Sequence, residues 1–212
     1  MDFELRRIND TSISRIKAIV FLLALVPLGR LVYWGLIDQL GANPIEKVLR
    51  QTGYWTLTFL TLTMAVTPIR QWLGWIWMGR FRRMLGLFAF FYSVLHLGTY
   101  VILDQFFDWS GILKDIVKRP YITVGFTALV LMIPLAVTST DGMLRRLGGA
   151  RWKKIHRWIY VICLAGVIHF WWLVKKDISE PFLFALIYAV SLLLRALLRR
   201  KSQLRGIKGL SP

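Results

Sequence analysis

The three histidines of this 212-residue chain are its most informative residues. His96 lies in one long apolar segment, and His156 and His169 lie in another. A side chain that can ionise is costly in hydrocarbon, so an intramembrane histidine points to a function. Because neutral imidazole is a strong ligand for haem iron, this pattern predicts haem held between membrane helices.

Six apolar segments have to position these histidines. The chain is 56% hydrophobic, which is more apolar than a soluble domain of this size. Each segment is long enough, or nearly so, to cross about 30 Å of hydrocarbon at about 1.5 Å per residue. The segments are 14–37, 53–69, 84–103, 121–138, 156–174 and 181–198. We predict an all-α integral membrane protein, with one domain over 1–212 built as a six-transmembrane-helix bundle.

The net charge of +17 is distributed unevenly along the chain. If the N-terminus is cytoplasmic, the inner segments carry twenty Lys and Arg residues and the outer loops carry seven. Such a positive-inside bias predicts that both termini are cytoplasmic. The basic residues then set the topology and contact the headgroups of membrane lipids, and nucleic acid is not an expected partner.

His96 and His169 are expected at the same depth in the membrane. Both of their segments run from the inner to the outer side, and His96 lies thirteen residues beyond Arg83, about 20 Å along a helix. His169 lies fifteen residues beyond Lys154. Two histidines at one depth on neighbouring helices predict the two axial ligands of a b-type haem in the outer half of the membrane. The alternative is that they only form hydrogen bonds between helices.

His156 is expected at the inner end of the fifth segment. It could ligate a second, inner haem, face a flavin or a quinone, or be an ordinary interfacial residue. Thirteen residues at about 100° each leave a rotation of about 220° between His156 and His169. The two side chains would therefore share a face only if the helix bends.

The outer loop 104–120 is rich in apolar residues. The spacing of Ile112, Leu113, Ile116 and Val117 predicts a short interfacial helix. Phe106, Phe107 and Trp109 precede it. We expect this loop to dock a partner on the outer side.

The motifs that are missing narrow the function further. The sequence has no GxGxxG or P-loop, so no nucleotide-binding domain is expected, and its single cysteine, Cys163, excludes an intrachain disulfide. No repeat of fixed period is seen. The competing hypotheses are a haem-free proton-coupled transporter, although no apolar core carries a central Asp or Glu, and a haem-free scaffold subunit.

Several short stretches, taken together in order, resemble the MsrQ (YedZ) family, the haem-binding membrane subunits of bacterial MsrPQ systems. That family belongs to the ferric reductase-like transmembrane group. The resemblance covers almost the whole chain and all three histidines. The stretches are Gly41-Ala42-Asn43-Pro44, Arg82 to Leu87 with Leu95-His96, Arg119-Pro120-Tyr121 with Gly125, Leu135 to Ser139, Trp152 through His156 to Tyr160, and Ile168-His169 with Trp172.

The resemblance implies a multi-pass protein of the bacterial inner membrane that transfers electrons. The donors would be the quinone pool or a cytoplasmic flavin reductase, and the cofactors haem b and FMN. The acceptor would be MsrP, a periplasmic molybdopterin enzyme that reduces methionine sulfoxide in oxidised envelope proteins. Catalysis would then take place on the partner. The alternative within the group is a membrane ferric reductase that acts directly on external metal.

The candidate haem ligands that the resemblance carries over are His96, His169 and His156. Two-haem relatives place two histidines about fourteen residues apart on the third helix, but here Arg82 occupies the earlier position. Arginine does not readily lose its proton, so one haem is expected, and a second would need His156 plus another ligand. Arg82 and Arg83 would instead bind a haem propionate, a flavin phosphate or an anionic lipid, or only anchor the helix.

Overall fold

The computed structural model describes residues 9–174 and 176–208, without the side chains of Arg199 and residues 201–208. Every regular element within these residues is helical. Of the charges counted above, Arg6, Arg7 and Lys175 lie outside the described residues, as do the side chains of Arg199, Lys201, Arg205 and Lys208. The helices are α1 (Asp10–Leu36), α2 (Pro44–Leu73), α3 (Arg82–Gly98), α4 (Trp109–Lys118), α5 (Pro120–Val137), α6 (Asp141–His156), α7 (Ile159–Leu173) and α8 (Ser179–Lys208).

Five helical stretches in the described residues are long and apolar enough to cross a membrane. They are Asp10–Leu36, Ile76–Asp104, Pro120–Val137, Asp141–Leu173 and Ser179–Leu198. The second stretch joins a 3₁₀ helix (Ile76–Phe81), α3 and a π-helical segment (Thr99–Asp104). The prediction of an all-α fold is confirmed for the described residues, and the five stretches agree with a multi-pass membrane protein. The count of six spans and the cytoplasmic termini stay predictions.

The predicted segment missing from these five is 53–69, which lies within α2. This helix has 30 residues, so its length is sufficient. It is less apolar because it is rich in threonine. The hydroxyls of Thr56, Thr58, Thr61 and Thr63 each donate to the carbonyl four residues earlier, which satisfies them inside the helix.

Helix α2 begins nine residues earlier than predicted because its N-terminus is capped. The Asn43 side chain accepts a hydrogen bond from the Glu46 N–H at 3.2 Å and donates to the Glu46 carboxylate at 3.1 Å. Pro44 occupies the first turn, where its fixed φ is suited to a helix start. Residues 44–52 therefore form the first turns of α2, and these turns contact His96.

Two ion pairs bring the starts of three helices to one end of the bundle. Arg80, just before α3, pairs with Asp10 at the start of α1. Arg83, at the start of α3, pairs with Asp141 at the start of α6 at 2.5 Å. Helix α2 packs against α1, α3, α7 and α8, and α5 packs against α3 and α7. The bundle is therefore organised around α2.

The Tyr92 side chain fastens α3 to α1. Its hydroxyl donates to the Ala24 carbonyl at 2.8 Å and accepts from the Leu28 N–H at 3.2 Å. These two groups would otherwise bond to each other within α1, next to Pro27. The Tyr92 hydroxyl thus links α3 to the backbone of α1 next to this proline.

The location of Arg195 differs from the one expected from the sequence. The sequence analysis counted this residue among the twenty basic residues of the inner segments. Its side chain is only 6% exposed. The guanidinium donates to the Met64 carbonyl at 2.6 Å and to the Tyr160 hydroxyl at 2.7 Å. It therefore connects α8 to α2 and α7 inside the bundle.

The fifth predicted segment, 156–174, is divided in the structure. His156 is the last residue of α6, and α7 begins only at Ile159. Helix α6 is itself interrupted at Gly148, whose φ of 73° is left-handed. His156 and His169 therefore lie on different helices, and the rotation expected for one straight helix does not apply to them.

Candidate functional site

His96 of α3 and His169 of α7 face each other inside the bundle. Their ring centroids are 6.1 Å apart, and their ring planes are inclined at 82°. The sequence placed both residues at one depth on neighbouring helices. The structure brings their imidazoles together.

Each of these imidazoles bonds to a backbone carbonyl through Nδ1. His96 Nδ1 lies 3.0 Å from the Leu49 carbonyl oxygen, and His169 Nδ1 lies 2.6 Å from that of Tyr121. A carbonyl only accepts, so Nδ1 carries the proton in both rings. Nε2 then keeps its lone pair, which is the tautomer that a metal-ligating histidine needs.

A glycine lies beside each imidazole. A Cβ added at Gly53 of α2 would lie 3.1 Å from the nearest atoms of the His96 ring. A Cβ added at Gly125 of α5 would lie 2.6 Å from His169 Nδ1. In both cases the accepting carbonyl belongs to the residue four positions before the glycine. The pairs α2–α3 and α5–α7 therefore hold their histidines in the same way.

The His96–His169 pair fits a metal held by two imidazoles. The two rings are close enough for both Nε2 atoms to reach one metal, because a metal–imidazole bond is about 2 Å long. The observed separation is 6.1 Å. No group of three or more His, Cys, Asp and Glu side chains occurs in the described part of the chain, so the donor set here is the two imidazoles. This set is suited to the axial ligation of haem.

His156 lies away from the His96–His169 pair, beside a cavity of about 290 Å³. Its Nδ1 lies 3.1 Å from the Trp152 carbonyl oxygen, and its ring stacks on Trp152 with centroids 3.7 Å apart. Its Nε2 is buried and has no hydrogen-bond partner among the described residues. With the proton on Nδ1, this nitrogen is an acceptor.

Arginines surround the same cavity. Arg70, Arg82 and Arg83 line it together with His156. Arg83 pairs with Asp141, whereas Arg82 takes part in none of the ion pairs found among the described residues. This cluster of cations is suited to an anionic group, which would form charge-assisted hydrogen bonds with it.

The five predicted site residues therefore form two separate groups. His96 lies fourteen residues from Arg82 along α3, a distance of about 20 Å. His96 and His169 occupy one end of this helix, and Arg82, Arg83 and His156 occupy the other. Sequence reasoning missed Leu49, Thr52 and Gly53 beside His96. An isolated glycine in a helical pattern was the signal that could have indicated a close approach at position 53.

Comparisons with known proteins identify the family of the chain. Residues 52–167 match the family of ferric reductase like transmembrane components. The chain is 54% identical to the protein-methionine-sulfoxide reductase heme-binding subunit MsrQ of Herminiimonas arsenicoxydans, over 88% of this chain and 87% of the relative. It is 52% identical to that of Rhodospirillum rubrum over 86% and 89%, and 51% identical to that of Ralstonia nicotianae over 87% and 86%. Such identity over nearly the full length shows that the chain belongs to the MsrQ family, within the ferric reductase-like transmembrane group.

Proposed function

We propose that the chain is an electron-transfer subunit that binds haem b between His96 and His169. The observation that carries this proposal is the 6.1 Å separation of two imidazoles whose Nδ1 atoms are both bonded to carbonyls. The names of the MsrQ relatives, heme-binding subunits of a protein-methionine-sulfoxide reductase, support it. Haem, when bound, supplies a one-electron redox centre.

The residues around the imidazoles have distinct parts in this proposal. His96 and His169 hold the iron through Nε2. The Leu49 and Tyr121 carbonyls fix the tautomer and orient the rings. Gly53 and Gly125 leave room for the rings to reach the helix backbone.

The proposed topology has six crossings, both termini in the cytoplasm and the protein in the bacterial inner membrane. The ion pairs Arg80–Asp10 and Arg83–Asp141 support it, because they place the starts of α1, α3 and α6 at one end. Helix α2 must then return the chain across the bundle. The positive-inside bias assigns the end with Arg82 to the cytoplasm.

Electrons would enter at the inner cavity. The quinone pool or a cytoplasmic flavin reductase is the proposed donor. Arg82 and Arg83 would bind an anionic group there, and the free Nε2 of His156 would contact the donor, FMN or a second haem. A second haem would need a ligand besides His156, because the other two histidines of the chain, His96 and His169, are assigned to the first haem.

Electrons would leave on the outer side, to a periplasmic molybdopterin enzyme of the MsrP type that carries out methionine sulfoxide reduction. The proposed docking surface is Phe106, Trp109 and the exposed side of α4. Phe106 is 75% exposed and Trp109 is 62% exposed. Asp108 caps α4 by accepting from the Gly111 N–H at 3.0 Å and the Ser110 hydroxyl at 2.9 Å, and these bonds lower the pKa of its carboxyl.

The test is a dithionite-reduced minus oxidised spectrum of the detergent-purified protein, with haem quantified as the pyridine haemochrome. His96→Ala and His169→Ala should each lose the b-type spectrum. His156→Ala is the matched control, because its imidazole lies at the other end of α3; it should keep that spectrum and report on a second haem. A colourless parent protein, purified with sufficient haem supply, would contradict the proposal and favour a transporter or a scaffold.

The second candidate is a ferric reductase that acts directly on external metal. The match to ferric reductase like transmembrane components favours it. Reoxidation of the reduced protein distinguishes the two functions. Fast reoxidation by ferric chelates without a partner protein supports the second, and a requirement for the periplasmic enzyme supports the first.

A further inference from the structure

The two histidine environments share a glycine and a carbonyl four residues before it, but they differ at the residue that precedes the glycine. Thr52 precedes Gly53 beside His96, and Val124 precedes Gly125 beside His169. The Thr52 side chain is buried, and its single hydroxyl proton is shared between the carbonyls of Val48, at 2.8 Å, and Leu49, at 3.0 Å. Valine has no hydroxyl with which to do the same.

The Thr52 hydroxyl competes with His96 for one acceptor. The Leu49 carbonyl oxygen receives both the hydroxyl and His96 Nδ1–H, and the Thr52 oxygen itself lies 3.5 Å from that Nδ1. A carbonyl that accepts an additional hydrogen bond is a weaker acceptor for the imidazole. The observed distances agree with this, since the bond to His96 is 3.0 Å and the bond of His169 to the Tyr121 carbonyl is 2.6 Å.

We infer that Thr52 is a positioning residue that makes the two haem ligands unequal and raises the reduction potential of the haem. This inference rests on the proposed function. A strong Nδ1–H···O=C bond makes an imidazole more basic, and a more basic ligand stabilises the oxidised iron. By weakening this bond, Thr52 leaves His96 the less basic ligand.

The experiment exchanges the two side chains. Thr52→Val removes the competing hydroxyl with little change in volume. Val124→Thr introduces a hydroxyl at the corresponding position beside His169, because Val124 follows Tyr121 by three residues as Thr52 follows Leu49. The matched control is Thr58→Val, because the Thr58 hydroxyl donates to the Tyr54 carbonyl and does not contact a histidine. The readout is the midpoint potential from a spectroelectrochemical titration, with haem content measured as the pyridine haemochrome.

The expected result is a lower midpoint potential in Thr52→Val, a higher one in Val124→Thr and no change in Thr58→Val. Unchanged potentials in Thr52→Val and Val124→Thr, at full haem content, would overturn the role of Thr52 and leave haem ligation intact. If Thr52→Val does not fold, the midpoint potential of Val124→Thr is the test. An unchanged or lower midpoint potential in that variant overturns the inference. Parent protein without haem contradicts the proposed function instead.

Discussion

Gly125 and His169 are in direct contact across the α5–α7 interface. A Cβ at position 125 would lie 2.6 Å from His169 Nδ1, the atom that bonds to the Tyr121 carbonyl. The corresponding pair across α2–α3 is Gly53 and His96, where the distance is 3.1 Å. Each imidazole can reach a helical carbonyl only because its neighbouring helix has no side chain at that point.

Alanine at these glycines should displace the imidazoles. We expect Gly125→Ala to lose more haem than Gly53→Ala, because its Cβ would come closer to the ring. Overpacking of this kind costs about 1–3 kcal/mol. Haem per chain, measured as the pyridine haemochrome, checks the expectation. The control is Gly29→Ala, since a Cβ there meets no atom within 4 Å. Equal haem content in all three variants would contradict the proposal that Gly53 and Gly125 leave room for the two imidazoles.

Loss of the Arg82 charge should slow the reduction of the haem by its donor. We expect Arg82→Gln to lower the rate of quinol-driven reduction about tenfold or more, since a charge-assisted hydrogen bond contributes about 1.5–3 kcal/mol. The dithionite-reduced spectrum should stay unchanged, because Arg82 is about 20 Å from His96. Stopped-flow reduction by a quinol measures the rate.

Arg80→Gln is the control for this experiment. Arg80 pairs with Asp10 and does not line the cavity. If the two variants slow reduction equally, the effect comes from the general surface charge, and the assignment of the cavity as the donor site is wrong.

Polar substitution in the outer docking surface should weaken the coupling to the periplasmic enzyme. Phe106→Ser and Trp109→Ser should slow reoxidation of the reduced haem by that enzyme while leaving the haem spectrum unchanged. An aromatic residue at the centre of an interface contributes about 2 kcal/mol or more, which corresponds to about thirtyfold in affinity. Trp72→Ser is the control, because Trp72 is 77% exposed near the opposite end of the bundle. Loss of haem in Phe106→Ser or Trp109→Ser would indicate a structural role instead.

Removing the Tyr92 hydroxyl should destabilise the bundle. Tyr92→Phe leaves the Ala24 carbonyl and the Leu28 N–H without their shared partner, and Tyr92 is fully buried. We expect a loss of about 1–2 kcal/mol, seen as a lower Tm in detergent. Tyr33→Phe, on the exposed side of α1, should leave Tm unchanged. If Tyr92→Phe has the same Tm as the parent protein, the Ala24 carbonyl and the Leu28 N–H bond to each other within α1 and do not need the Tyr92 hydroxyl.

Much of the fold follows from the order of the residues along the chain. Long apolar runs predicted the all-helical membrane protein, and the spacing of Ile112, Leu113, Ile116 and Val117 predicted α4. The distances from Arg83 and Lys154 predicted that His96 and His169 share one depth. These features depend on hydropathy and helical rise, which act within a single segment.

Contacts between segments were decided only by the tertiary structure. The Leu49 carbonyl lies 47 residues from His96, Arg195 is buried against Met64 and Tyr160, and His156 ends a helix of its own. Lipid tails are as apolar as a helix interface, so hydropathy does not reveal which face of a membrane helix meets another helix. That choice depends on side-chain packing, small residues and hydrogen bonds between helices, and these exist only once the helices have come together.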